Sequence, residues 1–301
     1  MDAKFAVRRA LENGLVVPAF NIPYPPMLKP VAQAIVDENS VGMVQVARLE
    51  WEKFESGSLE NIAQEYAKYA VEGHTLLHLD HIPVIDEDHL EVDYMALIRR
   101  AIAAGYQSVM VDASRLDLAG NIAATRAVAD LAHAAGIPVE AELGAVMGHE
   151  TSQATIPYEE IFARKMGFTD VAEARQFVEG SECDWLSVAV GSVHGDIADN
   201  LKDQKKPSAK LDIERIAELR DALNIPLVLH GGSGIENDYI TRGIKAGIAK
   251  INVATEIRQP YERALRERND VEYARECVYV RMRELIRDFL HTAGDADILN
   301  G

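Results

Sequence analysis

Cysteine is nearly absent. The chain has 301 residues and two cysteines, Cys183 and Cys277, which form no CxxC pair. That excludes a disulfide framework, and two isolated thiols point to a reducing, cytoplasmic setting. Basic charge is also short: 31 Lys and Arg against 48 Asp and Glu give a formal net charge of -17. DNA, RNA and anionic membrane surfaces reward basic patches, so none of them is expected as the main partner. The one basic cluster, LKDQKKPSAK from Leu201 to Lys210, is short and interrupted by proline, and reads as a solvated loop. No apolar run is long enough to span a bilayer. The opening MDAKFAVRRALENGLVVPAF reads as an amphipathic helix followed by a strand and lacks the apolar core of a signal peptide.

The chain does contain eight short apolar runs. They are Val16–Asn21, Val41–Ala47, Thr75–Asp80, Gln107–Ser114, Ile137–Gly144, Trp185–Ser192, Ile225–Gly232 and Ile248–Thr255. Each is rich in Val, Ile and Leu with little alternation, as expected for strands of a parallel sheet covered on both faces. The segments between them carry helical spacing. Leu118–Gly136 ends at a glycine suited to a C-cap, and Ile213–Asn224 behaves likewise. Eight strand–helix units in this length predict a single-domain (β/α)8 TIM barrel over residues 1–301. A doubly wound open sheet is the competing architecture, but the first strand continues as FNIPYPP without a Gly-rich fingerprint. After Thr255 the pattern is helical, with Tyr261–Leu290 as one or two long additional helices.

In such a barrel the chemistry sits at the C-terminal ends of the strands. The polar residues of the runs fall at that end: Asp80-His81, Asp112 with Ser114, Glu140 with Glu142, His194, His230, and Asn252 with Thr255. A single histidine is more often a satisfied structural residue than a ligand. Three of them, His81, His194 and His230, reach one rim from three different strands. Three neutral imidazoles with an open position can hold a catalytic Zn²⁺. His89 and His133 read as loop or helix-surface residues.

HGGSG, His230 to Gly234, lies between a strand and a helix. Its glycines allow a ligand close to the backbone, and N–H groups with the Ser233 hydroxyl suit a phosphate. Asn252 to Thr255 add donors on the neighbouring unit, where such barrels often hold phosphate. Gly144–Pro157 is polar and glycine-containing. It reads as a candidate lid and carries Glu150.

HLDH, SVMVDAS, VEAELG, VAVGSVHG, HGGSG and KINVAT, in that order, resemble the class II, zinc-dependent fructose-bisphosphate and tagatose-bisphosphate aldolases. The resemblance runs from about Val16 to Thr255 and into the helical tail. It implies cleavage of a ketose 1-phosphate or bisphosphate to dihydroxyacetone phosphate and an aldehyde, through a metal-stabilised enediolate. His81, His194 and His230 would bind one zinc ion, and a monovalent cation could accompany it. Asp80 would exchange a proton with the hydroxyl that becomes the aldehyde oxygen, and Glu150 one with the ketose carbon. Gly195, Gly231, Gly232, Ser233, Asn252, Val253, Ala254 and Thr255 would hold the phosphorylated three-carbon half. Asp112 and Glu142 would be accessory metal or supporting groups. A homodimer or homotetramer is implied as well. No Schiff-base lysine is then needed, although Lys250 in AKIN is a candidate by position.

The chain departs from that family on the aldehyde side. Ala47 stands where a serine usually helps hold the distal phosphate, with Arg48 beside it. The strand with Asn21 runs into three prolines, Ile82 follows HLDH where glycine is usual, His149 replaces an acidic residue, and Glu256 stands where Asp is common. These departures direct the expectation to an aldehyde other than glyceraldehyde 3-phosphate. Two other functions compete: a non-catalytic barrel subunit supporting a partner aldolase, and a zinc hydrolase on the same fold. Finally, neighbouring residues of a strand point to opposite faces. For Asp80 and His81 to share a site, the chain is expected to leave regular strand geometry near Asp80, with Ile82-Pro83 beginning the exit.

Overall fold

The structure is a computed structural model that describes residues 1–144, 157–192, 209–232 and 234–301. Eight parallel strands close into a barrel in sequence order. They are β1 (Val17–Asn21), β2 (Gly42–Ala47), β3 (Thr75–Pro83), β4 (Ser108–Asp112), β5 (Val139–Leu143), β6 (Trp185–Val188), β7 (Leu227–Leu229) and β8 (Ile248–Val253). β1 pairs with β8, which removes every free sheet edge. The TIM-barrel expectation holds, and the open doubly wound sheet does not.

The intervening helices start where the sequence supplies caps. Asp2, Ser58, Asp93, Asp117, Asp170, Asp212 and Asp270 each accept a backbone N–H of the first turn. Such a cap stabilises a helix by about 1 kcal/mol. The tail forms two helices, Thr255–Arg268 and Val271–Glu284, followed by a π-type turn at Leu285–Phe289. Among the described residues, no helix is long and apolar enough to cross a membrane. Cys183 and Cys277 are both free.

Alternation divides the strand residues into two cores. Leu77, Leu79, Val109, Val111, Ile251 and Val253 face outward into the layer shared with the helices. Met43, Leu76, Trp185 and Val228 fill the barrel floor, which the N-terminal helix Ala3–Asn13 covers with Ala3, Ala6, Val7 and Ala10. Burial of each large apolar side chain contributes roughly 1.5–3 kcal/mol. Above that floor the barrel interior turns polar.

β3 bears out one expectation, a departure from regular strand geometry beside Asp80, and corrects another, the place where the strand ends. The strand does not end at Asp80 but continues to Pro83. Leu79 pairs with Val109 and Ile82 with Val111, so three steps on β3 match two on β4. This is a one-residue bulge, and His81 has φ of 29°. Leu79 and Ile82 both lie in the outer apolar layer, so Asp80 and His81 are both left for the inner side. A bulge re-aims a side chain without ending the strand. Ile82 anchors that bulge rather than beginning an exit.

Candidate active site

Asp80 and His81 stand at the centre of the rim. Asp80 is buried, and amides from three other strands donate to its carboxylate. Asn252 donates to Oδ1 at 2.9 Å, while Asn21 at 2.9 Å and Gln45 at 3.2 Å donate to Oδ2. Gln45 also donates to Asn21 Oδ1 at 2.7 Å, which fixes the orientation of that amide. Burial alone would raise the Asp80 pKa. The charges of His81, His230, Lys250 and His78 outweigh it and hold the group below its ordinary value.

The His81 and His230 rings lie edge to face with centroids 4.5 Å apart. His81 Nδ1 faces Asp112 Oδ2 at 3.4 Å. His230 Nε2 is hydrogen-bonded to Glu140 Oε1 at 2.7 Å, and its Nδ1 faces Glu142 Oε2 at 3.3 Å. Ser187 Oγ donates to Glu142, and Ser114 donates to Asp112 through both its N–H and its hydroxyl. Burial opposes protonation of His81, yet Asp80, Asp112 and Glu142 together push its pKa up to about 10.

This donor set fits a metal ion. Asp80, His81 and His230 offer ligand atoms within 4.8 Å of one another, as do His81, Asp112 and Glu142. Metal-bound histidines usually hand their second ring nitrogen to a carboxylate. Asp112 and Glu140 stand in that relation to His81 and His230. Four carboxylates, Asp80, Asp112, Glu140 and Glu142, surround two imidazoles, with the Lys250 ammonium beside Glu140, an acidic excess that a further cation relieves.

Of the residues expected on the phosphate side, Gly231 and Gly232 directly follow His230, and Asn252 and Val253 end β8. Gly231 has φ of 69°, a conformation that favours glycine. A Cβ on Gly232 would lie 3.0 Å from Ile251 and 3.3 Å from the Asn252 carbonyl, so glycine lets this turn pack on β8. Val253 ends β8, Ala254 follows it, and Thr255 begins the next helix. Of the residues expected on the aldehyde side, Ala47 closes β2 and Arg48 is ion-paired with Glu52 at 2.8 Å and Asp86 at 3.4 Å. Glu150, His194, Gly195 and Ser233 lie outside the described residues, as does nearly all of the candidate lid and of the basic cluster. His89 and His133 are exposed as expected, and His133 pairs with Asp184.

Sequence reasoning missed the polar layer beneath the rim. His78 is fully buried, with Nδ1 2.8 Å from Ser108 Oγ. Burial, reinforced by the Lys250 charge, lowers its pKa to about 3. Lys250, also fully buried, lies 2.9 Å from Glu140 Oε2 and donates to Asn252 Oδ1 at 2.5 Å. Burial would raise the Glu140 pKa, but Lys250, with help from His230 and His78, holds it well below the carboxylate range. Glu50, also missed, is a buried carboxyl accepting from Ala47 N–H at 2.8 Å and from Asn21 at 3.4 Å. The spacing of two in His78/Asp80, Glu140/Glu142 and Lys250/Asn252 was the available signal, since alternate strand residues share a face.

Comparison with known proteins agrees with this geometry. The YdjI aldolase from Escherichia coli K12 is 29% identical, with a TM-score of 0.78 and 98% of each chain covered. A putative fructose-1,6-biphosphate aldolase from Coccidioides immitis is 23% identical, with a TM-score of 0.77 and 98% of each chain covered, and shows the shared fold. Fructose-bisphosphate aldolase from Campylobacter jejuni, 17% identical with a TM-score of 0.70, covers 95% of this chain and 93% of its own and likewise shows the fold. The family model "Fructose-bisphosphate aldolase class-II" matches residues 1–297. With barrel, rim and family match in agreement, the chain belongs to the class II fructose-bisphosphate aldolase family and is a carbon–carbon lyase.

Proposed function

We propose that this aldolase reversibly cleaves a ketose 1-phosphate, or a bisphosphate, to dihydroxyacetone phosphate and an aldehyde, with one zinc ion as cofactor. The observation that carries this reading is the cluster of Asp80, His81 and His230 within 4.8 Å, with Asp80 held by amides from three strands. His81 and His230 would hold the ion, with His194 as the third ligand, and Asp112 and Glu142 as accessory groups. A bound Zn²⁺ supplies Lewis-acid polarisation of the ketone and offsets the charge that develops on its oxygen.

The chain's own residues supply the rest. Asp80 takes the proton from the hydroxyl that becomes the aldehyde oxygen and returns it in the condensation direction. Glu150 exchanges a proton with the ketose carbon. The Gly231–Gly232 turn with Ser233, Gly195 and the segment Asn252 to Thr255 anchor the phosphate of the three-carbon half. Asn21, Ala47 and Arg48 border the aldehyde half.

Exchange of the C3 proton of dihydroxyacetone phosphate with solvent isolates half of this reaction and requires no knowledge of the aldehyde. Zinc-loaded protein should catalyse it, followed by NMR in D₂O. No exchange above the uncatalysed rate would sink the reading. His230→Ala should lose zinc and exchange together, with metal content falling from about one ion per chain to near none. Full zinc retention in that variant would remove His230 from the ligand set.

A further inference from the structure

We infer that Lys250 is a positioning residue that orients both arms of the active site, the metal-binding imidazole His230 through Glu140 and the acid/base Asp80 through Asn252. The inference rests on the proposed function and goes beyond it by assigning a role beneath the rim.

The geometry is a fork. On one side the Lys250 ammonium lies 2.9 Å from Glu140 Oε2, and Glu140 Oε1 is 2.7 Å from His230 Nε2. On the other, Lys250 Nζ donates to Asn252 Oδ1 at 2.5 Å, and Asn252 Nδ2 donates to Asp80 Oδ1 at 2.9 Å. Each link fixes the next. An amide whose oxygen accepts from an ammonium must present its N–H₂ to the carboxylate, so Lys250 selects the orientation of Asn252 that serves Asp80. A carboxylate held by a cation on one oxygen offers the other to the imidazole, which fixes which ring nitrogen carries the proton.

Strand geometry places Lys250 for this task. Leu227 pairs with Ile248 and Val228 with Lys250, so one step on β7 matches two on β8. Ile248 and Ile251 both face the outer apolar layer, while Ala249 lies in the floor cluster and Lys250 is fully buried. The bulge therefore turns Lys250 inward beside Asn252, as the β3 bulge turns His81 inward beside Asp80. No carbonyl substrate reaches this amine, whose side chain has 0% exposure, so its role is not that of a Schiff-base lysine. Its position also separates it from a merely neutralising charge: both of its partners are themselves partners of rim residues.

The test is a set of double-mutant cycles on the zinc-loaded protein. Zinc affinity is measured by competition with a chromophoric chelator, and the kcat and KM for cleavage by steady-state assay at saturating zinc with fructose 1-phosphate or fructose 1,6-bisphosphate, whichever the wild type cleaves faster. Lys250→Met should weaken zinc binding about 10–100-fold, as loss of a supporting partner does. It should also lower the kcat for cleavage about a hundredfold, as misplacement of a reacting group does, with KM little changed. In a Glu140→Gln background, Lys250→Met should no longer alter zinc affinity yet still slow cleavage. In an Asn252→Ala background the reverse is expected. Should Lys250→Met alone fail to fold, the Lys250→Met/Glu140→Gln pair removes both charges at once, a replacement proteins often tolerate. Its cleavage rate, compared with that of Glu140→Gln, then reads the Asn252 arm. Equal effects of Lys250→Met in all backgrounds, or zinc affinity and cleavage both unchanged, would overturn the inference. Absence of zinc binding and exchange in the wild-type protein would instead overturn the proposed function beneath it.

Discussion

Asp80→Ala is expected to lower kcat for cleavage by about 10²–10⁴-fold, the range that a positioned acid or base supplies, while zinc content stays near that of the wild type. The separation follows from how the carboxylate is held. Both oxygens are occupied by amides from β1, β2 and β8, so the group is fixed by a polar frame that does not include a histidine side chain. Asp80 nevertheless lies within ligand distance of His81 and His230, which makes ligation the competing role. Metal analysis of the purified variant decides: loss of zinc alongside loss of cleavage makes Asp80 a ligand, and retention makes it the proton carrier. Exchange at C3 of dihydroxyacetone phosphate should partly survive, because the proposed reaction assigns that proton to Glu150. Asp80→Asn is expected to be no gentler. All three neighbouring amides donate, and an asparagine amide group would set a fourth donor against them, leaving a buried N–H without an acceptor at a cost of about 1–3 kcal/mol.

The barrel was legible from the chain because eight Val/Ile/Leu runs with helical spacers have few other solutions, and the rim was legible because strand-end polar residues fell on one side. Asp80, His81 and His230 converge as the strand ends imply, and Asn252 joins them. That β3 must leave regular strand geometry near Asp80 was legible, because Asp80 and His81 otherwise point to opposite faces. Its form was not: only the β4 register shows that one extra residue between Leu79 and Ile82 does this within a continuing strand. Lys250 and Glu140 were visible as residues but not as a pair, since they lie 110 positions apart in sequence and meet only when β5 and β8 face each other across the barrel. Glu50 was concealed differently. Within RLEWEK it reads as one more solvated helix charge. Its burial depends on β1 and β3 bringing Asn21 and Asp80 alongside the end of β2.

That burial leads to the second large effect, a pH-dependent gain of stability in Glu50→Gln. Burial is the main cause that raises the Glu50 pKa from 4.5 to about 8, and the nearby Asp80 charge adds to it. The Ala47 N–H, the Asn21 amide and the Arg258 charge pull the other way without prevailing. Between pH 4.5 and about 8 the folded chain keeps this proton while the unfolded chain has released it. The unfolded state then binds fewer protons, so stability falls as pH rises through that window and levels off above it. At ~1.4 kcal/mol per pH unit the window bounds the loss at roughly 5 kcal/mol. Glutamine carries no titrating proton, and the hydrogen bonds from Ala47 and Asn21 to Glu50 converge on one oxygen, Oε2, which the glutamine carbonyl can replace. Urea unfolding at intervals from pH 5 to pH 9 should therefore show the variant gaining several kcal/mol on the wild type as pH rises, with most of the gain complete by about pH 8. Parallel stability profiles across that range would mean that Glu50 is ionised throughout and that its charge is met by a partner stronger than the Ala47 and Asn21 donors.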